Sequence, residues 1–406
     1  MQSGTHGPET GGKRELSERW ILLLLAAVQF TQIMDFMVMM PLGPQLMREL
    51  AINPQQFGAL ISSFAVTAGL VGLAVAPFID RFDRKKLLLW CYAGFAIATL
   101  ICGLSHTPGM LLVARALCGA FGGVSGATVM AIVADVVPPE RRARGMGVIM
   151  TSFSVAAALG VPLGLKLAQW WRWEAPFLVV ALVAAVVWIC LWKALPAVRG
   201  HLDGDSKSVR DFLILLKDGN AWRGLALMTA MVFGHFTIIP YLSPYLVGNV
   251  GMPEKYLFLV YLTGGVVTVF TGPWVGRLAD LHGRFKTYLV LVSGASAVIW
   301  ILTNSGPREV WEVMVLAGLF FMFASGRFVP GQAVISLAVP ASRRGAYMSL
   351  VGCARDLASG ITAAIGGAVV MKGPSGSLLH FDRLGWLAIG VSVASLLIFR
   401  KVRAVA

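Results

Sequence analysis

The chain has 406 residues, 57% of them hydrophobic and only 13% charged, with a mean hydropathy of +0.75. A soluble protein carries about a quarter of its residues as charge, so a soluble enzyme or a nucleic-acid-binding domain is excluded in spite of a formal net charge of +14. The basic residues sit in short turns between long apolar runs, where they report topology and not a polyanionic partner.

Crossing the hydrocarbon of a bilayer takes about 20 apolar residues in a helix. In chain order the candidates are 20–42, 55–79, 86–106, 109–132, 144–169, 173–195, 222–247, 256–276, 285–304, 310–332, 345–371 and 379–400, which predicts an all-α membrane protein of twelve transmembrane helices. The first run has full spanning length, unlike the short core of a cleaved leader. The connection 196–221 is the longest and most polar. It divides the chain into a tail (1–19), a six-helix domain (20–195), a linker (196–221) with a surface helix over 206–217, a second six-helix domain (222–400) and a short tail (401–406). The cysteines, Cys91, Cys102, Cys118, Cys190 and Cys353, lie inside apolar runs and read as small packing residues. The histidines are scattered and form no metal motif, and no phosphate-binding Gly-x-x-x-x-Gly-Lys-Ser/Thr loop occurs, so neither a metal, an organic cofactor nor ATP is expected.

Arg and Lys gather in alternate turns: Arg81, Arg84, Lys85 and Lys86; Arg141, Arg142 and Arg144; Arg277, Arg284 and Lys286; Arg343 and Arg344; and the linker. The opposite turns hold few, among them Arg48, Lys255 and Arg308. The positive-inside bias therefore puts both termini and the linker in the cytoplasm. Two of the basic turns repeat. Asp80-Arg81-Phe82-Asp83-Arg84-Lys85 has a counterpart around Asp280 and Arg284, and residues 137–145 (VPPERRARG) parallel 339–345 (VPASRRG). Two parallel six-helix units are what a carrier needs if its halves rock about a midplane cavity.

Twelve spans, a central linker and paired Asp/Arg turns resemble the major facilitator superfamily over about residues 18–402. The second turn keeps Gly276, Asp280, Gly283 and Arg284 of that family's loop signature; the first keeps Asp80, Arg81, Arg84 and Lys85 but has Ala76 and Asp83 where glycine is expected. The stretch 111–119 (LLVARALCG), with Arg115 in the fourth span, and Gly160-Val161-Pro162-Leu163-Gly164 in the fifth are similar to the drug and solute:proton antiporters. The resemblance is to bacterial twelve-helix multidrug or sugar efflux proteins. It implies two pseudo-symmetric bundles and favours export.

A carboxylate at the C-terminal end of a helix is disfavoured by the helix dipole, so Asp80 needs compensation from Arg81, Arg84 or Lys85, or from a helix N-terminus of the other domain. Such a contact would latch one face in one state. Asp80, Arg84, Asp135, Arg141, Asp280, Arg284 and Arg327 form the expected cytoplasmic gate. Ionisable residues inside the membrane are costly and functional by default. Asp35 rises about 22 Å along the first helix and Arg115 lies about 9 Å below the outer surface in the fourth, so the two share a depth. They form either a structural ion pair or the coupling pair for protons. His235 stands 200 residues after Asp35, as a core or a proton-carrying group, and Arg355-Asp356 is either a local pair or a binding and coupling element. Proton coupling is thus assigned to Asp35, Arg115, His235 and Asp356, and the substrate cavity to Gln32, Met39, Phe236, Tyr241 and Arg355. Lys166 reads as a snorkelling side chain.

These features predict a multi-pass protein of the bacterial inner membrane. It meets lipid and a small organic substrate, takes no nucleic acid, works as a monomer and uses protons as coupling ion. Proton-coupled efflux is the first reading. Uptake or facilitated diffusion of a small solute is the alternative.

Overall fold

The computed structural model describes residues 9–76, 78–138, 141–198, 207–373 and 376–405. The first half contains α1 (Glu9–Val38), α2 (Gly43–Glu49), α3 (Pro54–Val75), α4 (Arg84–Gly103), α5 (Pro108–Val136), α6 (Arg142–Val155), α7 (Val161–Trp170) and α8 (Ala175–Ala194). The second contains α10 (Gly219–Phe236), α11 (Ile239–Gly248), α12 (Leu257–His282), α13 (Arg284–Thr303), α14 (Val310–Gly326), α15 (Phe328–Ser336), α16 (Arg344–Val369) and α17 (Phe381–Lys401). Between them lies α9 (Lys207–Lys217). Beyond these helices, a two-residue antiparallel pair, Met371–Lys372 with Leu378–Leu379, closes the turn before α17. Among the described residues, eleven segments are long and apolar enough to cross a membrane. Helix α16 is the twelfth: it has 26 residues, but Arg355, Asp356 and its many small residues dilute its apolar content.

Three of the spans are interrupted, each for the same reason. Proline has no N–H for the carbonyl four residues back, and its ring crowds that carbonyl. Pro240 disrupts the bond to Phe236, where α10 ends. Pro330 does the same at Gly326, the last residue of α14. Pro162 faces Ala158 inside a π-helical turn, Ala156–Gly160, that joins α6 to α7. All three breaks fall near mid-span, so they place irregular backbone in the middle of the fold.

The two Asp/Arg turns are built differently. Asp83 is the N-cap of α4 at φ −58°, its carboxylate accepting from the amides of Lys85 and Lys86. Gly283 caps α13 at φ +88°, a conformation that favours glycine. The first turn can therefore do without the family's glycine, because a side-chain cap replaces the left-handed backbone. Helix α12 also continues through His282, so Gly276–Asp280, expected as a loop, is its last turns. Two other boundaries shift: α1 starts at Glu9 within the expected tail, and α10 starts at Gly219.

The helices pack mainly within each half, and the halves meet chiefly along two seams, with a smaller contact of α2 on α11. Helix α3 runs against α16 at backbone contact distance. A Cβ on Gly58 would stand 2.6 Å from the Ala363 carbonyl, and one on Gly360 would stand 2.9 Å from the Val66 amide. Helix α12 meets the π turn in the same way, Gly265 against Ala157 and Ala158. Small residues let membrane helices approach this closely and gain dispersion contacts that lipid cannot supply. Leu215 of α9 is buried against the second half, with Phe212 partly so. We call the end near α9 the linker face and the opposite end the far face.

Candidate functional site

Asp35 of α1 and Arg115 of α5 meet inside the first half. Arg115 Nη1 lies 2.6 Å from Asp35 Oδ2 and also donates to the Asp35 carbonyl at 3.1 Å. Both side chains are fully buried. The contact is incomplete: Asp35 Oδ1 and Arg115 Nε and Nη2 have no hydrogen-bond partner. The guanidinium lies 4.6 Å from the centroid of Phe64, which supplies a cation–π contact in place of some of those bonds. Around the pair the interior of this half is polar. Thr31 and Tyr92 hydroxyls are 2.9 Å apart, Gln32 Nε2 donates to Ser125 Oγ, and the Cys102 and Cys118 sulfurs are 3.8 Å apart.

An aromatic path leads from this pair to the other half. Phe64, under Arg115, has its ring centroid 5.1 Å from Phe36, and Phe36 lies 6.0 Å from Phe236 of α10. Phe236 meets His235 edge-on at 5.5 Å, and His235 stacks on Phe320 at 5.6 Å with Phe328 at 5.8 Å. His235 is buried and its Nδ1 is unpartnered. In the sequence Phe236 reads as part of the substrate cavity, and Phe36, Phe64 and Phe320 read only as aromatic surface. A signal exists, since Phe36 follows Asp35 and Phe236 follows His235.

The other expected residues divide. Arg355 and Asp356 pair with each other at 3.0 Å, their side chains 54% and 30% exposed. Arg355 lies eleven residues, about 16 Å, into α16. A guanidinium exposed at that depth belongs to a water-filled space, since hydrocarbon would not hold it. Met39 and Tyr241, expected in the cavity, are in the core instead. The Tyr241 hydroxyl donates to the Ala363 carbonyl at 2.7 Å beside Gly58, so it belongs to the α3–α16 seam near the far face. Gln32 is turned inward to Ser125.

Arg327 is not at a gate. Its span runs on to Ser336, because Pro330 interrupts the helix without ending it, which leaves Arg327 about 14 Å from the linker-face end. It is fully buried, donating from Nη1 to Ser392 Oγ at 2.7 Å and from Nη2 to the Met231 carbonyl at 2.9 Å. No carboxylate pairs with it among the described residues, and its Nε is unpartnered.

At the linker face, Arg84 Nη1 lies 2.7 Å from Asp135 and 2.6 Å from the Ala131 carbonyl, joining α4 to α5. Arg141 pairs with Glu18 at 3.0 Å, and Lys85 donates to the Trp192 and Leu195 carbonyls. The side chain of Asp80 lies outside the described residues. Asp280, in the last turn of α12, and Arg284, which opens α13, are exposed and form no ion pair among the described residues. Among the described residues, Arg284 thus lacks the carboxylate contact that its counterpart Arg84 makes.

The far face holds contacts that the sequence reading missed. Arg48 of α2 grips Glu254 with both terminal nitrogens, at 2.5 and 3.2 Å. Gln169 donates to the Glu254 carbonyl at 2.8 Å, and Lys166, expected to snorkel, sits 3.9 Å from the centroid of Phe258. Each of these contacts crosses from the first half to the second.

Residues 25–361 match the model of the Major Facilitator Superfamily. Over 95% of its length the chain is 24% identical to the uncharacterized MFS-type transporter YbcL of Bacillus subtilis (strain 168), covering 97% of that protein. A second uncharacterized MFS-type transporter from that organism, YceJ, is 23% identical over 85% of this chain and 87% of its own. In structure the chain is similar to a bacterial homologue of the human lysosomal transporter Spinster in its inward-facing, unoccupied conformation. The TM-score is 0.71 at 15% identity, covering 98% of this chain and 96% of that one. It is also similar to a mutant form of the nucleoside transporter NupG, with a TM-score of 0.70 at 11% identity over 94% and 99% of the two chains.

Proposed function

The chain belongs to the Major Facilitator Superfamily, and we propose that within it this protein is a proton-coupled exporter of small amphipathic organic compounds, with Asp35 as the proton-carrying group and Arg115 as its partner. Secondary transport by a multi-pass membrane protein is the premise. The finer reading rests on one observation: a fully buried carboxylate held at 2.6 Å by one guanidinium nitrogen while its second oxygen is unpartnered.

A buried ion pair with unsatisfied atoms repays its desolvation poorly. It therefore lies close in free energy to an alternative in which the carboxylate is protonated and the guanidinium turns elsewhere. Opening toward the outside would bring water and protons to Asp35. Protonation releases Arg115, and closure follows. Opening toward the cytoplasm with substrate present re-forms the pair and expels the proton. The aromatic path from Phe64 to Phe236 touches both the pair and the opposite half, so a shift of Arg115 moves the surface on which the halves meet. Gln29, Arg355, Asp356 and the part-buried faces of Phe36 and Phe236 offer a mixed polar and aromatic lining suited to amphipathic solutes.

The linker face is assigned to the cytoplasm from the clustering of Arg and Lys there, in a bacterial inner membrane. On that face Arg84 and Asp135, with Asp80, form the proposed latch. The test is proton movement per substrate in proteoliposomes under an imposed pH gradient. Efflux coupled to protons shows opposite fluxes, and Asp35→Asn abolishes gradient-driven accumulation while leaving exchange. Parallel fluxes of proton and substrate would replace this reading with uptake. An Asp35→Asn carrier that still concentrates substrate would remove Asp35 from the role.

A further inference from the structure

The far face carries the one set of polar side-chain contacts, among those described above, that joins the two halves directly. Arg48 is the last-turn basic residue of the seven-residue helix α2, where a cation also suits the helix dipole. Glu254 opens the one-turn helix Glu254–Tyr256 that leads into α12. The two are 206 residues apart in sequence and joined by two nitrogen–oxygen contacts of 2.5 and 3.2 Å. The hydrogen bond from Arg48 to Glu254 raises the guanidinium above its ordinary proton affinity. Gln169 binds the backbone carbonyl of the same Glu254, and Lys166 covers Phe258 one helical turn further on. Three first-half groups thus converge on the start of α12.

We propose that Arg48 and Glu254, supported by Gln169 and Lys166, form the latch that holds the far face shut and must break each time the transporter opens on that side. Every contact in the set spans the boundary across which the halves rock, so none survives separation at this face. The pair is partly exposed, with side chains 59% and 34% accessible, so water and ions reach it. A pair in that setting is weak enough to break within a transport cycle. Its paired geometry gives direction as well as attraction, which registers α2 against α12 as the Gly58 and Gly360 seam comes together. The latch rests on alternating access alone and not on Asp35 or on proton coupling.

The experiment needs no substrate. Nitroxides are placed at Gly109→Cys and Gly306→Cys, two far-face positions with open space around them on opposite halves, in a background lacking the five native cysteines. Distance distributions are recorded in nanodiscs without a proton gradient. Arg48→Gln and Glu254→Gln each should raise the ratio of long to short distances about three- to fivefold, the size expected for an exposed pair. High salt should produce the same shift in the parent, because it screens that attraction, and the reversed pair Arg48→Glu with Glu254→Arg should restore the short distance. Arg308→Gln, a far-face cation outside the latch, should change nothing. Unchanged distributions in both single variants overturn the proposal, and so does an equal shift from Arg308→Gln, which would reduce the effect to net charge.

Discussion

Phe36 and Phe236 meet across the boundary between the halves with ring centroids 6.0 Å apart, each one residue beyond an ionisable group at the same place in its half, Asp35 and His235. The 200-residue repeat thus becomes a physical contact. Aromatic pairs at this separation contribute about 0.5–1.5 kcal/mol beyond the area they bury. That is enough to bias the two halves without fixing them.

Removing this contact should separate stability from coupling. Phe236→Ala leaves Asp35, Arg115 and the far-face contacts untouched. It should lower the stability measured by thermal unfolding in detergent by about 1–3 kcal/mol, less than for a fully buried ring because Phe236 is only partly buried. Phe236→Leu should recover most of that stability. If the aromatic path carries the movement of Arg115, both variants should leak protons without substrate in vesicles, and Leu should not rescue coupling. Rescue of coupling by Leu would assign Phe236 a packing role only.

The Asp35–Arg115 pair makes a stability prediction independent of transport. Arg115→Ala strands a carboxylate in the core and should cost about 3–5 kcal/mol. Asp35→Asn should cost a comparable amount, because the amide can still accept from Nη1 but Arg115 loses its counter-charge. The double variant Asp35→Leu with Arg115→Leu should return close to parental stability, since well-packed apolar pairs replace buried ions at little or no cost. Thermal unfolding of the three variants decides it. A double variant no better than Arg115→Ala would mean that the pair organises the surrounding Gln32, Ser125, Thr31 and Tyr92 polar groups.

Gly58 tests the seam. A Cβ there would stand 2.6 Å from the Ala363 carbonyl and closer still to the Tyr241 hydroxyl, and a backbone carbonyl cannot swing aside. Gly58→Ala should strain only the form closed at the far face, by about 1–3 kcal/mol. The ratio of long to short distances for the Gly109–Gly306 label pair should then rise at least about fivefold. A normal distribution would show that α3 and α16 can shift together at no cost.

Much of this architecture can be read in the sequence because hydrocarbon imposes a length on apolar runs, and the depth of Asp35 and Arg115 follows from helix rise alone. Three residues mark where that reasoning stops. Pro330 reads as lying near the end of its span, which misplaces Arg327; a proline breaks one hydrogen bond, and the neighbouring helices decide whether the span goes on. Asp280 matches Asp80 in sequence, yet α12 extends past it while α3 stops at Val75, so related motifs sit one inside a helix and one in the turn beyond it. Glu254 has no local mark at all, because its partner lies 206 residues away and only the packed halves bring them together.

Arg327 leads to the least conventional expectation. Its guanidinium is fully buried and donates only to a serine hydroxyl and a main-chain carbonyl, with Nε unpartnered and no carboxylate beside it among the described residues. A structural cation would normally have a counter-charge, since burial of an unpaired ion costs several kcal/mol. Neither acceptor needs it: Ser392 can bond its own helix backbone, and the Met231 carbonyl lies within α10. Arg327→Met should therefore express normally and unfold at the same temperature or higher, by up to about 2 kcal/mol of added stability. Arg327→Glu, which exchanges one unpaired charge for another against acceptors it cannot satisfy, should fail to fold. A gain in stability together with lost transport would show that this charge is kept for the transport cycle. A loss of more than about 2 kcal/mol in Arg327→Met would show instead that its two hydrogen bonds hold the α14–α15 junction to α10 and α17.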